Sequence, residues 1–418
     1  MRNKERSRDP AKLTVANISQ NYHVRGGSDT IFFNTGKLLT HHGHQVIPFA
    51  ARHLRNEATE WSRYFPVGAN FNSPGPRDLA RFIYSRSAAQ ALSRLLDEHE
   101  LDIAHLHIYY GKLTGSILTP LVEAGVPIVQ TLHEYKLICP VYSLLSNGKV
   151  CEACEGHHFW RAIPRKCNRN SVARTLLSVA ESYVSRQLGS ISAVDHFMAV
   201  SDFVRLKMIR YGVPEDKIST VHNFIDCSEI VPASQPGGYF LYVGRLDAPK
   251  GILTLVKAAA TVKDTPLFIV GEGAAYDGLA AFIGQHELGH IKLLGFKRGV
   301  ALSQLIKNSL CLILPSELYE TFGMSILEGF AYGRPAIASN IGGIPEVITN
   351  GEDGFLFEPG NVEALREKLL WMESHPRHAV EMGQAGRQKA ETDFGADVYY
   401  DKIMQVYTQV LGARGGTL

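Results

Sequence analysis

The stretch that decides the fold is Pro315–Pro335, which reads PSELYETFGMSILEGFAYGRP. The residues before it, Leu310–Leu314, form a short apolar run that suits a buried strand of a parallel sheet. From about Gly323 onward, apolar residues recur at helical spacing until Gly333 ends the pattern. The stretch therefore predicts a strand, a loop and a helix, and the backbone N–H groups at the start of that helix form an anion site.

Two carboxylates flank this predicted anion site. Glu320 lies in the loop and Glu328 lies inside the helix. Because carboxylates accept hydrogen bonds from hydroxyls, the pair favours a ligand with both hydroxyls and negative charge, such as a nucleotide sugar. The alternative is that one Glu complements the helix dipole while the other is simply solvated.

Composition limits the class of protein. The chain has 418 residues, of which 45% are hydrophobic and 20% charged, so we expect two or three soluble globular domains. No apolar run is long enough to span a membrane, and residues 1–12 are charged and lack the apolar core of a signal peptide. The net charge of +2 is too small for a nucleic-acid binder. We therefore expect a cytoplasmic protein with no nucleic-acid partner.

The first half of the chain opens with a strand, Leu13–Ser19, followed by a loop that contains Gly26 and Gly27. A helix to about His42 follows, and this order is the start of a Rossmann-like unit. The two glycines either let the backbone approach a phosphate or simply form a tight turn.

The alternation of strands and helices continues through the first half and predicts a parallel sheet. It includes one long amphipathic helix, Arg77–Leu96, and a strand, Pro127–Leu132. His133 follows that strand at its carboxyl end, where open α/β sheets bind ligands. A histidine there can hydrogen-bond a sugar hydroxyl or stabilise charge at a reacting centre.

Four of the six cysteines lie close together in the sequence, with the spacing C-x11-C-x2-C-x12-C: Cys139, Cys151, Cys154 and Cys167. Disulfides are disfavoured in the cytoplasm, and this pattern resembles a structural zinc site with four thiolate ligands. Such a site leaves no open coordination position for catalysis. The alternative is a set of reduced, partly buried cysteines.

A basic segment with aromatic residues follows the third cysteine and comprises Phe159, Trp160, Arg161, Arg165, Lys166, Arg169 and Arg174. It can contact an anionic membrane surface or a lipid-diphosphate acceptor. A solvated helix face is the alternative.

The second half repeats the strand and helix pattern after a linker at residues 228–238. Its predicted strands are followed by loops that contain Arg245 and Lys250, Gly271–Gly273 and Phe296. Parallel strands with right-handed crossovers place all of these loops at one edge of the sheet, next to Glu320 and Glu328. Two cations beside a helix N-terminus can neutralise a diphosphate.

With these motifs the chain resembles a known family, the retaining GT-B glycosyltransferases of family four, also called glycosyl transferases group 1. The resemblance is long and specific in the second half and looser in the first, where it rests on Gly26-Gly27 and His133-Glu134. The matching segments of the second half are Gly244–Leu246 with Lys250-Gly251, Val270–Gly273, Pro315–Pro335, Gly342–Glu346 and Asp353–Phe355.

The resemblance implies an α/β fold with GT-B architecture, in which two Rossmann-like parallel-sheet domains face a cleft. It implies an acceptor-side domain at residues 1–230 with a Cys-rich insertion at 134–170, a nucleotide-sugar-binding domain at 231–394, and a helix at 395–418 that crosses back to the first domain. The reaction implied is transfer of a hexose from a nucleoside-diphosphate sugar to a surface-polysaccharide or lipid-linked glycan acceptor, with no cofactor needed for catalysis.

The resemblance also implies roles for individual residues. Arg245 and Lys250 hold the diphosphate, Glu320 contacts the transferred sugar, and Glu328 binds ribose. Together with His133, the first three are the predicted catalytic residues. The predicted substrate-binding residues are Gly26, Gly27, Gly244, Glu272, Phe296, Phe322, Gly323, Met324, Ser325 and Glu328.

Three features depart from the family pattern: Asn223-Phe224 where Asn-Gly is usual, Gly329 where Ala is common, and the cysteine cluster. Two other functions remain open, a nucleotide-sugar-binding protein without transferase activity and an epimerase or phosphorylase on the same fold. The sequence does not distinguish a UDP from a GDP donor.

Overall fold

The computed structural model describes residues 12–69 and 75–413 and contains two six-stranded parallel sheets and one two-stranded hairpin. The strands are β1 (Thr14–Ile18), β2 (Gln45–Phe49), β3 (Ile103–Leu106), β4 (Ile128–Leu132), β5 (Leu145–Ser146), β6 (Lys149–Val150), β7 (His196–Ala199), β8 (Ile218–Thr220), β9 (Phe240–Val243), β10 (Leu267–Val270), β11 (Ile291–Gly295), β12 (Cys311–Leu314), β13 (Ala336–Ser339) and β14 (Gly354–Phe357).

The helices pack on both faces of these sheets. They are α1 (Gly27–His41), α2 (Pro76–Ile83), α3 (Arg86–Glu98), α4 (Leu118–Glu123), α5 (Val172–Gln187), α6 (Asp202–Arg210), α7 (Ile252–Ala259), α8 (Tyr276–Gln285), α9 (Val300–Lys307), α10 (Met324–Ala331), α11 (Val362–Ser374), α12 (Pro376–Thr392) and α13 (Ala396–Ala413).

The strand order places a ligand-binding crevice in each sheet. The first sheet has the order β2-β1-β3-β4-β7-β8 and the second has the order β11-β10-β9-β12-β13-β14. In open α/β sheets, ligands bind outside the carboxyl ends of the strands where the order reverses. These switch points lie between β1 and β3 and between β9 and β12, so the loops after these strands are where the site is expected. The prediction of two Rossmann-like parallel sheets is confirmed.

The central strands are apolar along their whole length because each sheet is covered on both faces. All residues of β3, β4 and β12 are buried. The chain leaves the first sheet after Thr220 and enters the second at Phe240, so the predicted domain boundary at residue 230 lies in the connecting loop.

The last helix, α13, packs against the first sheet although it follows the second in sequence. Its apolar face joins the core that also contains residues of β1, β3 and β4. Two of its tyrosines form hydrogen bonds with the first sheet's layer: Tyr399 Oη with Thr35 Oγ1 at 3.0 Å, and Tyr407 Oη with His105 Nδ1 at 2.9 Å. These contacts tie the end of the chain to the first domain.

The predicted long helix at Arg77–Leu96 is instead two helices, α2 and α3. Ser85 interrupts it, because its side chain accepts a hydrogen bond from the N–H of Ala88 at 3.3 Å and so caps a new helix. No helix in the described part of the chain is both long and apolar enough to cross a membrane.

Candidate active site

Glu320, in the loop between β12 and α10, forms a partly buried ion pair with Lys250 of the loop after β9. Lys250 Nζ lies 2.6 Å from Glu320 Oε1, with 17% and 15% of the two side chains exposed, and Ser316 Oγ donates to the same carboxylate. Burial raises the pKa of Glu320, but Lys250, Ser316 and Arg245 outweigh it, so the pKa lies below its usual value. Glu320 is therefore ionised at neutral pH.

Helix α10 begins with amide groups that have no partner. Gly323 has φ of 132°, a conformation that side chains disfavour, and it lets the loop turn sharply into the helix. Among the described residues, no acceptor lies within hydrogen-bond distance of the N–H groups of Met324 and Ser325. The Phe322 side chain is buried against His222 and Phe394, so only its backbone faces the loop.

Glu328 lies one turn further along α10, and its carboxylate has no hydrogen-bond or ionic partner in the described part of the chain. Burial raises its pKa to about 7. A half-buried carboxylate without a protein donor costs free energy, which a ligand that donates hydroxyl hydrogen bonds would offset.

Gly329, next to it, explains one departure from the family pattern. A Cβ at this position would lie 2.9 Å from Leu312 Cδ1, so the glycine lets α10 pack closely on β12.

The loops after β9, β10 and β11 complete this wall of the cleft. Gly271 has φ of 145°, and a Cβ there would lie 1.8 Å from the carbonyl oxygen of Gly244, so the two loops touch. Arg245 is 72% exposed and lies 3.1 Å from Asp247, close enough to Glu320 to lower its pKa. Glu272 and Phe296 are exposed at the same edge of the sheet.

The first domain faces this wall directly. A Cβ on Gly27 would lie 3.1 Å from Met324 Cγ, so the Gly26-Gly27 loop approaches the start of α10. Thr321 Oγ1 donates to the carbonyl oxygen of His133 at 3.3 Å. The structure therefore brings Gly27 and His133 to the same place as Glu320, Lys250 and the free amides, whereas Phe296 lies at the rim.

His133 is held by a second histidine that sequence reasoning missed. His107 Nδ1 lies 2.9 Å from His133 Nε2. Burial lowers the pKa of His133 to about 3 and the pKa of His107 well below its usual value. Both rings are neutral at physiological pH, so His133 can exchange hydrogen bonds with a substrate hydroxyl but cannot supply a positive charge. The position of His107, directly after β3 at the carboxyl edge of the sheet, was the signal that could have identified it.

A second missed residue, Glu346, joins the two domains. Its carboxylate accepts hydrogen bonds from the N–H groups of Asp202 and Phe203 at 2.7 and 2.8 Å, at the N-terminus of α6. His222 Nε2 lies 3.0 Å from the same carboxylate. Ser201, the N-cap of α6, donates to the carbonyl oxygen of Thr321 at 2.7 Å. We call these contacts the α6 latch.

The Cys-rich insertion contains the hairpin of β5 and β6 and lies against the second domain. Glu152 accepts hydrogen bonds from Lys207 Nζ at 2.7 Å and from Tyr319 Oη at 2.9 Å. Burial raises the pKa of Cys154 to about 12, and the nearby thiols Cys139, Cys167 and Cys151 add to the effect. Through the bond between Glu152 and Tyr319, the insertion contacts the residue next to Glu320.

In the described part of the chain, however, no group of three or more His, Cys, Asp or Glu side chains is placed to hold a metal ion. The four-thiolate zinc site therefore stays a prediction from spacing. It predicts about one equivalent of zinc in the purified protein, measured by elemental analysis. Less than about half an equivalent, together with four thiols that react with a thiol reagent, would rule it out.

The basic segment that follows the third cysteine has exposed aromatic and basic side chains, with one exception. Phe159 is buried and packs in a small core with Ala162 and Val179, so it does not form part of the surface. Trp160 is 54% exposed, and the Arg161 guanidinium lies over its ring at 5.6 Å.

Comparisons with known proteins agree with this geometry. The family description "Glycosyl transferases group 1" matches residues 228–389, and "Glycosyltransferase Family 4" matches residues 25–229. The chain belongs to the group 1 glycosyltransferase family. The two matches meet at residue 228–229, within the loop between the two sheets.

Curated relatives of this glycosyltransferase family match over different lengths. The chain is 31% identical over 225 residues to the D-rhamnosyltransferase WbpZ of Pseudomonas aeruginosa, covering 50% of this chain and 58% of the relative. It is 24% identical over 416 residues to the N-acetyl-alpha-D-glucosaminyl L-malate synthase of Bacillus anthracis, covering 93% of this chain and 96% of the relative. The chain spans about half the length of the first curated relatives that it matches.

Solved structures show the same GT-B fold. The Anabaena protein HepE in complex with UDP-glucose superposes with a TM-score of 0.65 over 95% of this chain and 100% of that one, at 16% identity. The two family matches and this shared fold together confirm the prediction of a GT-B glycosyltransferase family member.

Proposed function

We propose that this protein transfers a hexose, with retention of configuration, from a nucleoside-diphosphate sugar to a surface-polysaccharide or lipid-linked glycan acceptor. The observation that carries the proposal is the convergence at one place of a Lys250–Glu320 pair, an unpartnered Glu328 and the free amides of α10. Each recognises a different part of such a donor. The first domain closes the same place with His133 and Gly27.

The donor would bind along the carboxyl edge of the second sheet. Arg245, Lys250 and the α10 amides carry positive charge or N–H donors and would hold the diphosphate. Glu328 would accept hydrogen bonds from the ribose hydroxyls, and ionised Glu320 would accept from hydroxyls of the transferred sugar. Phe296 and Glu272, both exposed at the rim, would lie beside the base end of the nucleotide.

The chemistry would depend on stabilising the leaving group. When the bond between the sugar and the diphosphate breaks, negative charge grows on the phosphate oxygen, and Lys250 and the α10 amides lie where they can stabilise it. Attack by the acceptor on the same face as the leaving group gives retention. His133 is neutral, so its role would be to hold a sugar hydroxyl rather than to balance charge.

The titration of Glu328 gives this donor site a specific pH dependence. Burial raises the pKa of Glu328 to about 7, so its side chain is protonated below that pH. Ribose hydroxyls donate to the ionised carboxylate, so donor binding favours loss of this proton. Donor binding should be strongest above pH 7 and weaken as the pH falls, by up to about tenfold per pH unit. Calorimetric titration with UDP-glucose, whose diphosphate does not titrate in this range, measures the dependence. The Glu328→Gln variant should bind more weakly at high pH and show a flat profile, and a wild-type profile equally flat would contradict the ribose role.

Two other functions on the same fold are separable by experiment. The protein is incubated with UDP- and GDP-sugars, with and without a cell-wall glycan fraction, and release of nucleoside diphosphate is measured together with the anomeric configuration of the product. Acceptor-dependent release with a retained anomeric configuration supports the transferase. Binding without release indicates a binding protein, and phosphate-dependent release or epimerised sugar indicates a phosphorylase or epimerase.

Contact with a membrane is a further part of this proposal. The exposed cations Arg161, Arg165, Lys166, Arg169 and Arg174 follow Trp160 in the sequence, and the apolar side chains of Val172 and Leu176, at the start of α5, are 44% and 47% exposed. Basic residues near an anionic surface contribute about 1 kcal/mol each, and an aromatic ring inserts at the interface. Peripheral contact with the inner face of a membrane would bring a lipid-linked acceptor to the cleft.

A further inference from the structure

The carboxyl edge of the first sheet carries a group of cations that the donor site does not use. Three loops contribute to it, and each follows one of the adjacent strands β1, β2 and β3. We call the group the first-domain cation cluster. Its members are Arg25, Arg55 and Lys112, which all lie close enough to His53 to lower its pKa, together with His23 and His53 themselves.

Contacts among these residues show that they share one place. The rings of His23 and His53 stack with centroids 4.6 Å apart. Lys112 is half-buried, and its Nζ donates to Asn21 Oδ1, a neutral acceptor, at 2.8 Å. Arg25 lies close enough to act on the charge of Lys112.

The residues that the structure describes do not fully neutralise this cluster. One carboxylate, Asp29, lies beside Lys112, and it already accepts from the backbone N–H of Arg25 at 3.0 Å and from Asn21 at 3.4 Å. In the described part of the chain, no ion pair within 4.0 Å involves Arg25, Arg55 or Lys112. Glu57, two residues after Arg55, lies close enough to Tyr22 to raise its pKa, so three cations share this edge with two carboxylates and a net positive charge of about one remains.

The surroundings place this charge inside the cleft rather than on an unrelated surface. Arg25 directly precedes Gly26 and Gly27, and Gly27 approaches Met324 of the opposite domain. Helix α1 begins at Gly27 without a side-chain cap, so its positive end adds to the same field. His133 follows β4, the next strand of the sheet after β3.

From this arrangement we propose that the first-domain cation cluster binds a phosphate or diphosphate group of the acceptor. The inference rests on the proposed transferase function and specifies its substrate class: an acceptor that carries a phosphoryl group close to the hydroxyl that attacks. A phosphoryl group supplies the anionic oxygens that these cations lack among their protein neighbours, whereas a neutral glycan leaves the cations unpaired. Arginine also binds phosphate oxygens in pairs, which fixes the orientation of the group.

The test is calorimetric titration with inorganic pyrophosphate and with glucose 1-phosphate, after the donor site has been saturated with UDP or GDP. Wild type is compared with Arg25→Gln/Lys112→Met and with a matched control, Lys37→Met/Arg94→Gln, which removes one exposed lysine and one exposed arginine elsewhere on the same domain. We expect binding to weaken at least tenfold in the first variant and to stay within twofold of wild type in the control. Arg25→Gln alone, at an exposed position, serves if the double variant does not fold.

A second arm separates a soluble phosphate ester from a lipid headgroup. The same proteins are sedimented with phosphatidylcholine vesicles that contain or lack a polyprenyl phosphate. Binding to the phosphate-bearing vesicles that depends on Arg25 and Lys112 identifies a lipid source, and binding to glucose 1-phosphate alone identifies a soluble one. No binding to any probe by wild type, or equal binding by wild type and Arg25→Gln/Lys112→Met, would overturn the proposal.

The titration with UDP or GDP that precedes these experiments tests the donor site separately. If neither nucleotide binds while the binding of pyrophosphate still depends on Arg25 and Lys112, the proposed transferase function fails and the anion site stands. If a nucleotide binds and the phosphate probes do not, the donor site stands and the proposed anion site fails.

Discussion

Lys250→Met is expected to slow sugar transfer by about 10³-fold, because it removes the cation that lies closest to the departing diphosphate in the proposed mechanism. The same change leaves Glu320 partly buried without its ionic partner at 2.6 Å. Breaking a buried ion pair is costly, and since both side chains are slightly exposed we expect a loss of unfolding free energy of about 3 kcal/mol. Transfer rates and urea denaturation measure the two effects.

A double variant separates catalysis from stability. Lys250→Met/Glu320→Gln removes the unpaired charge, so it should recover most of the stability and none of the activity. Lys257→Met, at an exposed position of α7, is the matched control and should leave both unchanged. An active Lys250→Met protein, or a double variant that regains transfer, would contradict the assigned role of Lys250.

Glu346→Ala is expected to lower kcat/KM by about 10- to 100-fold, although Glu346 has no contact with the substrate in the proposed mechanism. The change breaks the α6 latch, in which one carboxylate accepts two N–H groups of the opposite domain. Hydrogen bonds to a charged group contribute about 1.5–3 kcal/mol each, and water replaces part of this when the cleft opens. Because 1.4 kcal/mol corresponds to a factor of ten, losing a net 1.4–2.8 kcal/mol of domain closure gives the stated range.

Small-angle scattering of the Glu346→Ala protein should show a larger radius of gyration than wild type, since the two domains separate more often. Glu346→Gln keeps an oxygen that accepts one N–H and should fall between the two. Unchanged scattering together with transfer within twofold of wild type would show that the latch does not control closure.

The fold was predictable where local pattern and topology act together. The strand at Cys311–Leu314 and the helix at Met324–Ala331 follow from an apolar run and helical spacing within one short stretch. Parallel strands with right-handed crossovers place the loops that follow them at one edge of the sheet. The sequence therefore predicted that Lys250 and Glu320 lie close together.

The parts that could not be predicted depend on contacts between distant residues. Glu346 meets Asp202 across 144 positions, and nothing in the local pattern of either residue indicates the other. His107 supports His133 because β3 and β4 are neighbours in register, which a list of motifs does not include. The division of the predicted helix at Ser85 and the burial of Phe159 likewise depend on local capping and packing that spacing alone did not indicate.

A crystal structure of the protein bound to UDP or GDP, whichever binds more tightly, tests the central claim most directly. We expect diphosphate oxygens within hydrogen-bond distance of Lys250 Nζ and of the Met324 and Ser325 amides, with ribose hydroxyls on Glu328. A nucleotide bound away from α10, or one at α10 whose ribose leaves Glu328 without a donor, would contradict it.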